Sequence, residues 1–163
     1  MDDIKIKTID ITKPDDMNFI LGQTHFIKSA EDIYEAIINS AAGAKCGIAF
    51  SEASGDCKIR LEGNDKELVD LAKKNMQNIA AGHSFIVFLK DCFPLNVLNS
   101  IQNIPEVCNI FCATANHTKV IVAESETGRG ILGVIDGFKP KGVETVDEKK
   151  WRKKFLRDIG YKL

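Results

Sequence analysis

Two of the three histidines stand close to glycine at junctions between candidate elements, where an imidazole can be aimed into a cleft and a ligand can approach the backbone closely. Gly82-His83-Ser84 lies where a helical pattern ends and a continuous apolar run begins, so His83 is the first candidate for general base or phosphoryl acceptor. Gly22-Gln23-Thr24-His25 closes a strand-like run just ahead of a helical one. An amide, a hydroxyl and the His25 imidazole could share one rim there, and His25 is the alternative reactive histidine. The plainer reading of either is a half-buried ring hydrogen-bonded to backbone. Thr127-Gly128-Arg129-Gly130 sets a guanidinium among glycines, a pattern that can grip phosphate oxygens and is equally an ordinary hairpin turn. Glu52-Ala53-Ser54-Gly55 offers a carboxylate and a hydroxyl for a ribose hydroxyl or a magnesium-bound water, or is simply a turn. Asn116 could read a base edge, and Asp136 adds a second carboxylate at a strand end.

Common catalytic signatures are missing. The chain has no G-x-x-x-x-G-K-[ST] loop, no G-x-G-x-x-G, no G-x-S-x-G and no H-E-x-x-H. Five cysteines, Cys46, Cys57, Cys92, Cys108 and Cys112, contain no C-x-x-C pair, and most sit in apolar runs where a reduced thiol packs as a small hydrophobe. Cys108 and Cys112, four apart in an alternating run near His117, should share one sheet face, which makes a poor metal cage.

The elements that must position these groups alternate between the two periods. Residues 3–11 alternate apolar with polar and read as a half-buried strand, and 18–25 as a second. Ser29 should cap a helix over 29–42. Runs at 46–53 and 57–62 flank Ser54-Gly55-Asp56 as a hairpin. Asn64 with Glu67 should start a second helix that ends at Gly82 and delivers the chain to His83. A buried strand at 85–89 and a helix from Leu95 to Ile104 follow, then a meander of three strands at 107–114, 119–125 and 131–135. Thr145 with Glu148 caps a last helix whose stripe of Trp151, Phe155 and Ile159 should be buried. The sum is a single α+β domain over 1–163, with a mixed, largely antiparallel sheet or sheets and about four helices.

Composition sets outer bounds. In 163 residues, 22 basic against 23 acidic side chains leave a net charge of -1, which gives no general attraction to nucleic acid or to an anionic membrane. The amino terminus carries no leader pattern and no run is long enough to span a bilayer, so a cytoplasmic protein is expected.

The segments FILGQTHFIKSAEDIYEAI, GIAFSEASGDCKIRLEGND, AAGHSFIVFL, PLNVLNSIQNIPEVCNIFCATAN, IVAESETGRGILGVIDGFKPKGVE and FLRDIGYKL resemble the adenosine-specific kinases, a small prokaryotic family, from about residue 18 to the end. The resemblance implies an α+β domain that binds adenosine and AMP, with a histidine able to carry a stable phosphoryl group. It assigns that group to His83 within AGHSF, with His25 as the alternative. Gln23, Thr24, Glu52, Ser54, Asn116, Arg129 and Asp136 fall in matching segments and are the candidate pocket, together with Gly82, Ser84, Gly128 and Gly130 beside them. The expected chemistry is phosphoryl transfer from ATP or another nucleotide, with Arg129 and glycine-loop amides neutralising oxygens and Glu52 or Asp136 holding Mg²⁺. A non-catalytic adenosine or AMP sensor or carrier is the rival reading. A homo-oligomer is expected, and a purely structural oligomer, using the apolar segment from Pro94 to Ile104, is the third.

Overall fold

The computed structural model describes residues 3–163, so Met1 and Asp2 of the amino-terminal reading lie outside it. Strands β1 (Lys5–Asp10), β2 (Asn18–Thr24), β3 (Lys45–Ser51), β4 (Ile59–Gly63), β5 (Ser84–Lys90), β6 (Val107–Thr114), β7 (Thr118–Glu124) and β8 (Arg129–Asp136) are joined with helices α1 (Ser29–Ser40), α2 (Lys66–Ile79), α3 (Pro94–Gln102) and α4 (Val146–Asp158). They form a five-stranded sheet in the order β4-β3-β5-β2-β6 and a three-stranded sheet in the order β1-β7-β8. Every pairing in both is antiparallel. The α+β expectation holds.

The five-stranded sheet is the middle layer, and its strands read as continuous apolar runs because both faces are covered. Ile20, Ile48, Phe50, Phe85 and Val87 point to α1 and α3, where they meet Ile33, Ile37, Val97 and Ile101. Phe19, Leu21, Ala49, Ile86 and Phe88 point the other way, to Leu68, Ala72, Met76 and Ile79 of α2 and to Val120 and Val122 of the small sheet. Alternation along β2 and β5 thus feeds two separate cores from one strand. Burial at roughly 25 cal/mol per Å² of apolar surface makes these cores the main stabilising term.

Four local expectations are corrected. Ser29 is the first helical residue and caps nothing, because its hydroxyl is bonded to His25 O (2.6 Å) and to Thr24 Oγ1 (2.8 Å). Asp65 caps α2 by accepting from the Leu68 N–H, while Asn64 is drawn to the Cys46 N–H and Ala44 O. The meander breaks after its first strand: β6 pairs with β2 in the large sheet, and β7 and β8 pair in the small one. A register shift between Leu21 and Gly22, opposite Phe111, then turns Cys108 and Cys112 to different environments, the first exposed and the second buried. Burial pushes the Cys112 thiol up to about 12 and the Cys46 thiol up to about 11, so both are inert packing groups.

Two surfaces are barer than the periodicity predicts. β1 is an edge strand whose Ile6 is exposed. Helix α4 has the expected Thr145–Glu148 capping box, yet none of its residues is buried, and Trp151 is 65% exposed. Its Trp151 and Phe155 rings stack on each other, 5.1 Å apart, instead of on the core.

Candidate functional site

The candidate site is built where β2 and β3 end and β5 begins. After α2, Ala80 takes the left-handed conformation (φ 49°) that lets its N–H close on Met76 O. Three residues later His83 is also left-handed (φ 59°), an uncommon state for a residue with a Cβ. Two backbone bonds hold it there: its N–H donates to Ser51 O (2.7 Å), and its carbonyl accepts from the Thr24 N–H (2.9 Å). The His83 peptide is therefore stitched between β3 and β2, and the strained angle fixes the imidazole at the sheet edge.

His25 is placed from the other side. Its N–H donates to Glu106 O (3.1 Å), and Thr24 Oγ1 donates to the same carbonyl (3.1 Å), which anchors the end of β2 to the start of β6. The His25 and His83 rings come to lie 4.3 Å apart between centroids at 37°, and the Phe50 ring is stacked on His83 at 6.4 Å. Both histidines are half-buried. They line a cavity of about 420 Å³ with Phe26, Ile27, Phe50, Glu52, Ala53 and Ser54, a size that suits a nucleoside.

Burial first, then the neighbouring His25, holds the His83 imidazole below its ordinary value of 6.5. Its lone pair is consequently available at neutral pH, as a nucleophile or base requires. Any reaction that uses this lone pair should keep its rate as pH falls through 6.5 and lose it only below. A pH–rate profile whose acid limb sits above 6.5 would exclude His83 from that role.

Glu52 is already engaged. Its Oε2 accepts from the Lys58 N–H (2.9 Å) and its Oε1 from Arg60 Nε (2.9 Å), and the Lys58 N–H first, then Arg60, holds its carboxyl below the usual carboxylate range. Asp136 lies at the other end of the sheet. Phe19 pairs with Thr114 there, whereas Gln23 pairs with Ser84 at the histidine end. Asp136 accepts from Asn116 Nδ2 (2.9 Å) and Thr114 Oγ1 (3.0 Å) on an exposed surface, so neither Asn116 nor Asp136 reaches the histidines. Among the described residues no group of three His, Cys, Asp or Glu could hold a metal ion. Glu52 is committed to the Lys58 N–H and Arg60, and Asp136 lies at the far end of the sheet, so the two carboxylates do not converge.

The remaining candidates sit in two adjoining cavities. Gln23, Gly82, Ser84 and Gly130 line one of about 120 Å³ with Phe111. Thr24 is fully buried in the anchor described above, and the Ser84 hydroxyl donates inward to Ala81 O (2.6 Å). Gly128 and Arg129 line the other, of about 530 Å³, which shares Glu52 and Ala53 with the histidine cavity. A Cβ at Gly82 would stand 2.6 Å from Ala53 Cβ, so the close approach of these two residues requires glycine. Arg129 Nη1 donates to Asn78 O (2.9 Å) and Ile79 O (3.2 Å), and the guanidinium pairs with Glu124. It closes the carbonyl end of α2, which has no basic residue in its last turn. It does not line the histidine cavity itself, and the cavity it does line meets that one at Glu52 and Ala53.

Phe26, Ile27 and Phe50 were invisible as site residues in the sequence. The available signal was an apolar pair, Phe26-Ile27, between a strand end and a helix start, where polar residues are the norm.

Residues 9–162 match the family described as adenosine specific kinase. The chain belongs to the adenosine-specific kinase family. A solved relative in fold is the crystal structure of the PH1918 protein from Pyrococcus horikoshii OT3. It is 43% identical, with a TM-score of 0.93 over 98% of this chain and 99% of that one. No curated protein matches the chain. The match spans nearly all the described elements of this family member, from the end of β1 through α4. No helix among the described residues is long and apolar enough to cross a membrane.

Proposed function

We propose that this family member binds adenosine or AMP in the histidine cavity and transfers a phosphoryl group there through His83. The observation that carries the reading is the pair of facing imidazoles in a cavity of nucleoside size. In the first half-reaction a ring nitrogen of neutral His83 attacks the terminal phosphorus of ATP or another nucleotide. The N–P bond forms, the P–O bond breaks, and its electron pair leaves with the nucleoside diphosphate. In the second, a ribose hydroxyl of adenosine attacks the same phosphorus, its proton passes to His25, and the N–P electron pair returns to His83. Mg²⁺ would arrive on the donor's own phosphates.

The cavity lining contains no lysine or arginine. That observation favours a second reading, a sensor or carrier that holds the nucleoside without turnover. Incubation with labelled ATP and adenosine separates them. The first reading expects labelled AMP and an acid-labile label on the chain; tight binding with no product leaves the second.

The unburied stripe of α4, with Trp151, Phe155 and Ile159 exposed, supports self-association through this helix more than through the segment from Pro94 to Ile104, whose Pro94, Val97 and Ile101 are already buried. Light scattering should return a multiple of the 18.0 kDa chain mass, reduced by charging the stripe with Trp151→Glu. A monomer at micromolar concentration would remove the idea.

A further inference from the structure

Phe26 combines three properties that rarely coincide. Its backbone is left-handed (φ 67°), the residue is 70% exposed, and it lines the cavity of the two histidines with Ile27, itself 56% exposed. A bulky residue forced into this conformation costs free energy and its open ring recovers little by burial, so the fold alone gives no reason for it. The segment is also firmly held. Ser29 N–H donates to Phe26 O (3.1 Å), His25 N–H to Glu106 O, and Lys28 pairs with both Asp32 and Glu106. Glu106 is 6% exposed and its Oε1 lies 3.0 Å from the Lys28 ammonium. No well-aligned hydrogen bond reaches either of its carboxylate oxygens among the described residues. Lys28 is thus drawn down onto a buried carboxylate, and the two residues before it are left standing at the cavity mouth.

We propose that the Phe26 ring, with Ile27 beside it, is the platform on which the flat base of the nucleoside stacks, and that this contact selects a nucleoside over a bare sugar phosphate. The inference rests on the nucleoside reading of the same cavity and adds the residue that recognises the base. The lining supports it chemically: with no lysine or arginine to hold phosphate and Glu52 committed to Arg60, apolar and aromatic surface is what this cavity chiefly offers. A base on an aromatic ring is held through its π-face, and that contact survives exchange of one aromatic residue for another.

Calorimetric titration with adenosine and AMP of the wild type, F26A, F26G and F26W tests it, with melting temperature measured on each. F26A and F26G should bind both ligands about tenfold or more weakly, whereas F26W should bind within a fewfold of wild type. Glycine adopts a φ of 67° without strain, so F26G should melt no lower than wild type, which separates loss of the ring from loss of the loop. Wild-type affinity in F26G, or failure of F26W to restore it, overturns the platform while leaving the nucleoside site in place. If the wild type binds neither adenosine nor AMP, the nucleoside reading falls and the platform with it.

Discussion

Replacing His83 by asparagine is expected to lower phosphoryl transfer to adenosine by at least about 100-fold and to abolish acid-labile labelling of the chain. Asparagine is the informative choice because His83 sits at φ 59°, a conformation asparagine tolerates well. His83→Ala would add backbone strain to the loss of the ring and so confuse two effects. The stitching bonds to Ser51 O and from the Thr24 N–H are main-chain and survive either change, so the melting temperature of H83N should stay close to wild type. His25→Asn should slow transfer yet leave the label on the chain, since His25 acts on the proton of the incoming hydroxyl. Should H83N keep its label and H25N lose it, the two histidines exchange roles. If neither variant changes either measurement, covalent transfer through this pair is wrong.

Gly47→Ala is expected to be the most damaging small substitution in the large sheet, costing about 3 kcal/mol or more. A Cβ there would stand 2.0 Å from the Leu68 carbonyl carbon and 2.2 Å from the Val69 nitrogen, both main-chain atoms of α2. No rotamer relieves a clash between two backbones, so α2 must lift from β3. The consequence reaches the site, because α2 ends at Ala80 and fixes the entry of the chain to His83. Urea unfolding should therefore show a lowered midpoint, with adenosine affinity falling in parallel. Gly43→Ala is a useful contrast: a Cβ there meets nothing within 4 Å, and the cost is limited to its φ of 84°. Equal midpoints for G47A and wild type would mean that the close approach of α2 to β3 is not as described.

Much of the fold was legible because periodicity reports local burial directly. The continuous run Phe85 to Leu89 reads as a strand covered on both faces, and β5 is that strand. The 3.6-residue spacing of Leu68, Ala72, Met76 and Ile79 found α2. Caps were less legible. Ser29 and Asn64 have the right chemistry, but their side chains bond to residues distant enough in sequence, or far enough across a turn, that only the assembled sheet brings them within reach. The stripe on α4 is a genuine apolar stripe, and periodicity has no means of telling a face that packs inside one chain from one left open.

His83 and His25 owe their prominence to the sequence alone, since each is a titratable ring at an element boundary near glycine. Which polar groups join them was settled by strand order. β2 and β3 end where β5 begins, which gathers Glu52, Ser54 and both imidazoles, while the courses of β6 and β8 carry Asn116 and Asp136 to the far edge. Arg129 comes to the near edge but turns to the open carbonyls of α2. Residue type states what chemistry a side chain can perform and spacing states which element carries it. Neither encodes the distance between strand ends, and that distance, fixed by sheet order and register, decided which of the candidates meet.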